Sequence, residues 1–193
     1  MNRVALCEIV DFTSGGTPSK ANPAFWDGDV PWFSAKDIKK PRLTDSADHI
    51  SEAAFTATSL RRLPANTVVL VVRGMILAHT VPIAVLTVES AINQDLKALL
   101  PKRDVDPTFL AAMLQAQHGT ILSQVSTAGH GTKKLDSRVL ANIRIPLPEL
   151  DEQRRIAAIL DLAADQRAAI NSMLGLQDEL IGSLQSRAFL GEL

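Results

Sequence analysis

Residues 149–193 read ELDEQRRIAAILDLAADQRAAINSMLGLQDELIGSLQSRAFLGEL, and this stretch decides the architecture. Steps of four and three residues join Ile156, Leu160, Ala163, Arg167, Ile170, Leu174, Gln177, Ile181, Leu184 and Ala188, and eight of these ten are apolar. Alternating four and three is a heptad rhythm, which predicts one long helix with a stripe for a second helix. A start signal precedes it: the break Pro146-Leu147-Pro148, then Glu149, Asp151 and Glu152 where the helix dipole favours anions. About 40 residues at 1.5 Å each would make a rod of roughly 60 Å. The competing reading is a helix folded back on its own domain. Arg167 and Gln177 interrupt the stripe and could set its register. Gly175 and Gly182 should soften the rod by up to about 1 kcal/mol each.

Working outward, the charge divides at the same boundary. Residues 1–148 carry 16 Lys/Arg against 13 Asp/Glu, and residues 149–193 carry 4 against 8, so a net of −1 hides a mildly basic body and an acidic rod. The asymmetry permits an anionic partner for the body without demanding one. Two domains are therefore expected, 1–148 and 149–193. Hydrophobic residues make up 46% of the chain, ample for a core. The single cysteine, Cys7, excludes an internal disulfide, fits a cytoplasmic protein, and in its apolar stretch reads as a buried small side chain. No leader pattern opens the chain and no apolar run is long enough for a membrane span.

The body reads as mixed α and β. Residues 3–12 form an ordered segment of undecided type, and Ser14-Gly15-Gly16-Thr17-Pro18-Ser19 is a loop. Strands are expected over 30–34, 67–72, 83–88, 96–100 and 143–145, with the β-branched run TVVLVV from Thr67 fully buried. Helices are expected from Ser51 to about Leu60, from Pro107 to about Val125, and over 135–141. Residues 129–134, GHGTKK, read as a flexible basic loop. The fold class is α+β: a mixed α/β body with short strands, then one coiled-coil-type helix.

Several residue groups could carry chemistry. The loop 14–19 lacks the spacing of a phosphate-binding P-loop, so a structural turn is the better reading. Arg73 ends a buried strand and precedes a glycine; it suits a guanine edge or a phosphate, and equally an internal salt bridge. Asn93-Gln94-Asp95, with Lys97, offers groups that read adenine or cytosine, or that simply cap a turn. His130, Thr132, Lys133 and Lys134 suit phosphate contacts or a solvated loop. Lys36, Lys39, Lys40 and Arg42 follow Trp32 and Phe33, whose rings read as core rather than stacking platforms. Glu89, Asp95 and Lys97 imitate part of a metal-dependent nuclease motif without its leading element. The four histidines are scattered and there is no second cysteine, so no zinc site is expected.

Taken in order, the motifs Gly15-Gly16-Thr17-Pro18-Ser19, Val30-Pro31-Trp32-Phe33-Ser34 with Asp37-Ile38, Val71-Val72-Arg73-Gly74, Ile92-Asn93-Gln94-Asp95-Leu96, Gly131-Thr132-Lys133-Lys134-Leu135, Ile145-Pro146-Leu147-Pro148 and Glu152-Gln153-Arg154-Arg155-Ile156 resemble the specificity subunit of type I restriction–modification enzymes. The match runs through nearly the whole chain. The resemblance implies a target recognition domain followed by a conserved spacer helix, in a non-catalytic subunit that binds double-stranded DNA. Family members usually carry two of each, with the two helices antiparallel, and each recognition domain reads half of a split sequence.

It also implies methyltransferase subunits alongside, which would hold the S-adenosylmethionine, and a restriction/motor subunit as a further partner; no cofactor or metal is expected on this chain. With one domain and one helix, the chain is expected to be a half-length subunit or a fragment. A homodimer through Ile156, Leu160, Ala163, Arg167, Ile170, Leu174, Gln177, Ile181 and Leu184 would then present two identical heads. The expected DNA contacts are Lys20, Ser34, Lys36, Arg73, Gln94, Lys97, His130, Thr132, Lys133 and Lys134. Two other readings remain, a self-contained metal-dependent nuclease and an assembly module without DNA binding.

Overall fold

The computed structural model describes residues 3–128 and 131–191. The segment of undecided type at the start resolves into three pieces: β1 (Arg3–Ala5), the single turn α1 (Leu6–Ile9) and β2 (Val10–Ser14). Leu6 and Ile9 are buried, while Cys7 is exposed, against expectation. The reason is geometric: a one-turn helix here turns positions 6 and 9 inward and leaves 7 on the outer side. Next come β3 (Val30–Phe33), β4 (Arg42–Leu43), β5 (Asp48–Ile50) and α2 (Glu52–Ala57). Helix α2 stops three residues before the expected Leu60, because the Thr58 hydroxyl donates to the Ala54 carbonyl and accepts from the Leu60 amide. That side-chain bond closes the helix end.

The core strands follow: β6 (Thr67–Val71), β7 (Ile83–Leu86), β8 (Ala91–Ile92) and β9 (Leu96–Pro101). Every residue of β6 and β7 is buried, as continuous apolar runs require. They sit inside a five-stranded sheet of order β2-β9-β6-β7-β4, antiparallel except for the β7–β4 pair. A second sheet, β5-β3-β8, carries a small cluster of Trp32, Ile50, Ala54 and Ala91. Trp32 and Phe33 are thus core, as expected.

The expected helix from Pro107 is two: α3 (Pro107–Ala116) and α4 (His118–Leu122). Asp106 caps α3 through a bond from the Phe109 amide, and Pro107 fills the first position, where no amide partner is needed. Gln117 breaks the run. Its backbone leaves helical values at φ −100°, its side-chain amide donates to the Arg144 carbonyl, and the next residue, His118, is tied to Thr80 and Val81. Phe109, Leu110, Ala111 and Leu114 are buried, and the helix lies against β7 and β6.

The basic loop is framed by two short strands, β10 (Ser126–Thr127) and β11 (Lys133–Lys134), paired antiparallel. Helix α5 (Ser137–Asn142) and strand β12 (Arg144–Pro146) complete the body, β12 pairing with β1. Helix α6 (Leu150–Phe189) is unbroken over 40 residues, about 60 Å at the standard rise. The chain divides into two compact units, one up to Gln153 and one from Arg154. Within the first unit, Gln153 is 2% exposed, accepts from the Asp106 amide at 3.0 Å and donates to the Pro148 carbonyl at 2.9 Å. Among the described residues no helix is long and apolar enough to cross a membrane.

Candidate nucleic-acid interface

Motifs far apart in sequence are interlocked by main-chain hydrogen bonds. The Gly16 amide donates to the Ile92 carbonyl, and the Asn93 amide donates to the Phe33 carbonyl. A Cβ on Gly15 would stand 1.9 Å from the Ile92 carbonyl oxygen, so this backbone approach admits only glycine. The amides of Val72 and Arg73 both donate to the Asp95 carbonyl. Gly74 donates to Lys133, Leu135 donates to Val72, and Arg73 and Lys134 form an antiparallel bridge. Gly74 holds φ +131°, in the region that favours glycine, and turns the chain out of the sheet. Side chains extend the web. Asn93 donates to Asp95 and accepts from its amide, the Thr17 hydroxyl donates to Gln94, and the Trp32 indole donates to the Gly16 carbonyl. Asn93 and Asp95 are thereby engaged in holding the turn.

This web brings five of the expected residues onto one edge: Arg73, Gln94, Lys97, Lys133 and Lys134. Arg73 and Gln94 are exposed, and the Arg73 guanidinium has no ion-pair or hydrogen-bond partner among the described residues. Lys133 donates to the Thr127 hydroxyl across the β10–β11 pair. Lys97 donates to the Ser137 hydroxyl at 3.0 Å. Burial pushes the Lys97 ammonium below its ordinary pKa, and the neighbouring Lys134 pushes the same way while Asp136 opposes. Thr132 is half-buried, its carbonyl accepting from the Ala128 amide. His130 lies outside the described residues.

The remaining expected contacts are committed elsewhere. Ser34 donates from both its amide and its hydroxyl to Asp37, a turn cap. Lys36 forms an ion pair with Asp48 at 2.7 Å, and that bond raises its pKa. Lys20 is exposed, with its ammonium 5.7 Å from the Trp26 ring centre. The residues of the nuclease reading are likewise engaged one by one: Glu89 with Arg62, Asp95 with Asn93, Lys97 with Ser137. Among the described residues no group of three or more His, Cys, Asp and Glu could hold a metal ion.

On α6 the seam Leu160, Ile170, Leu174, Ile181 and Leu184 is exposed, as are Ala163, Arg167 and Gln177, while Ile156 is half-buried. A second stripe runs beside it with the same rhythm, through Ile159, Leu162, Gln166, Ala169, Met173, Leu176 and Leu180. Its large side chains are exposed too. The sequence reading missed this stripe, although the spacing was there to be read from Ile159. It also missed Met75 and Ile76, large exposed residues directly after Gly74, for which no periodicity gave a signal.

Comparisons with known proteins bear on the family and the fold. Residues 1–174 match the model of the type I restriction modification DNA specificity domain. The chain is 36% identical over 157 residues to the EcoR124I/EcoR124II specificity subunit of Escherichia coli, covering 81% of this chain and 39% of that protein. It is 27% identical to the MjaIX specificity subunit of Methanocaldococcus jannaschii, over 82% of this chain and 36% of that one. Among solved structures, a chain from the type I R-M system superposes with a TM-score of 0.75 at 24% identity, covering all of this chain and 46% of that one. The HsdS subunit from Thermoanaerobacter tengcongensis gives 0.66 at 23% identity, again over all of this chain and 45% of that one. The chain thus spans less than half the length of these relatives. With the family model matched over most of the chain and the motifs knotted together as described, the chain belongs to the type I restriction–modification DNA specificity family.

Proposed function

We propose that the body unit binds double-stranded DNA through the edge formed by Arg73, Gln94, Lys97, Lys133 and Lys134, and so directs methyltransferase subunits to a chosen sequence. The single observation that carries this is the gathering of these cations, from three separate segments, around an Arg73 with no acidic partner among the described residues. Lysines there neutralise phosphates and set position, while Arg73 and Gln94 have the donor geometry for base edges. His130 and Thr132 belong to the same reading. Fluorescence anisotropy with labelled duplex over a salt series tests it. Arg73→Ala should weaken specific binding by about 1–3 kcal/mol if it reads a guanine, and Lys134→Ala should lower the salt slope by about one. Unchanged affinity and slope in both variants would contradict the proposal.

We further propose that α6 pairs antiparallel with a second copy along the Ile156–Ala188 seam, presenting two reading heads to a split target. The seam is self-complementary in one register. Leu160 then faces Leu184, Ala163 faces Ile181, Arg167 faces Gln177, and Ile170 faces Leu174. Large meets small or large, and the two polar residues meet each other, as register-setting seam residues do. The second stripe, through Ile159, Met173 and Leu180, leaves a further apolar face for the methyltransferase subunit, which would carry the S-adenosylmethionine; a restriction/motor subunit would join that assembly. Light scattering at micromolar concentration should show a dimer that Ile170→Asp with Leu174→Asp reduces to monomer. A monomeric wild-type chain would remove the proposal.

A further inference from the structure

Among the described residues up to Gln153, the large apolar side chains that stand exposed are two neighbours, Met75 at 63% and Ile76 at 41%. The other large aliphatic groups described in that unit are buried or half-buried, so leaving two side by side in water calls for a cause. They occupy the first two positions of the 3-10 turn Met75–Ala78, immediately after the positive-φ Gly74. The turn is rigidly mounted. The Leu77 amide donates to Gly74, the Gly74 amide donates to Lys133, and Leu77 is buried beneath. On one side stands Arg73, bridged to Lys134, and against the turn lies β11, Lys133–Lys134. Two greasy side chains are therefore framed by three cations.

That combination selects its occupant. A protein partner seated on apolar side chains would have to offer acidic groups all around them. Duplex DNA offers this by construction, with phosphates flanking a major groove whose one apolar feature is the 5-methyl group of thymine. Resting on the DNA-reading proposal above, we infer that Met75 and Ile76 form an apolar prong that contacts thymine methyl groups beside the base edge read by Arg73, while Lys133 and Lys134 hold the flanking backbone. Specificity at that step then comes from burying a methyl group and not from a hydrogen bond. Each contacted methyl is worth about a four-fold preference, the effect of burying one such group.

The test compares thymine with uracil, which differ only in that methyl. The full chain, together with its modification subunit, selects binding sites from a random-sequence duplex pool. The selected duplex is then remade with uracil at each thymine in turn. At one or two positions uracil should weaken wild-type binding about four-fold, and Met75→Ala with Ile76→Ala should bind both duplexes alike. Met75→Leu with Ile76→Val should keep the preference, since these retain the apolar surface. Sequence-selective binding with no thymine–uracil difference, or a difference that survives the double alanine variant, overturns the prong while leaving DNA reading intact. Alanine variants that bind DNA normally but no longer assemble with the modification subunit overturn it in favour of a protein interface. Failure of the pool to yield any preferred sequence sinks both this inference and the reading on which it rests.

Discussion

The body and the long helix answer one substitution in opposite ways. At Gly15 an added Cβ would meet the Ile92 carbonyl oxygen at 1.9 Å, while at Gly175 and Gly182 it would meet nothing within 4 Å. The first glycine is held by a partner 77 residues along the chain; the others answer only to their own helix. The body is thus specified by non-local contacts between main-chain segments, and α6 by local periodicity and propensity. A unit of the first kind tolerates little change in backbone shape. A unit of the second kind tolerates change that respects its stripe.

The sharpest way to break that contrast is Gly15→Ala, which should destabilise the body by about 3 kcal/mol or more, because the clash is with backbone that other strands hold in place. Thermal unfolding followed by near-UV circular dichroism would read it, and a variant as stable as the wild type would refute the tight-approach account. Gln153→Leu comes next. It removes the acceptor for the Asp106 amide and the donor to the Pro148 carbonyl, so about 2 kcal/mol should go from the body. Denaturant titration checks it.

Gly175→Ala and Gly182→Ala should do the reverse and raise helix stability by up to about 1 kcal/mol each, visible as a later loss of far-UV signal on heating. The smallest effect is in Lys97. Its folded pKa lies below the ordinary 10.5, so the cost of holding the charge is present at neutral pH and fades as pH rises toward 10.5. Bound phosphate would push that pKa back up, so DNA affinity should fall with rising pH earlier in the wild type than in Lys97→Arg. Parallel alkaline profiles would show that Lys97 does not face the nucleic acid.

What was legible in the sequence follows the same division. Helix α6 could be read almost to the residue, because its stripe and its proline break are local. The buried strand from Thr67 was equally plain, since a run of β-branched residues has few other uses. The expected helix from Pro107 failed at Gln117, where bonds from Gln117 to Arg144 and from His118 to Thr80 outweigh the helical pattern. The two-residue strands β4 and β8 carry no pattern of their own; partners made elsewhere in the chain define them. The basic residues were visible as candidates, but their grouping was not. Lys36 looked as useful as Arg73 until Asp48 was found beside it. Asn93 and Asp95 read either as base readers or as turn caps, and the fold uses them to pin the turn that carries Arg73.

The proposed antiparallel pairing of α6 would set Arg167 against Gln177. Cysteine cross-linking tests it directly, in a Cys7→Ser background, with Arg167→Cys and Gln177→Cys alone and together. The double variant should form a covalent dimer on mild oxidation, and each single variant should stay uncrosslinked because its own cysteines lie about 15 Å apart along the antiparallel rods. Cross-linking of either single variant to itself, or none in the double, would contradict the antiparallel seam.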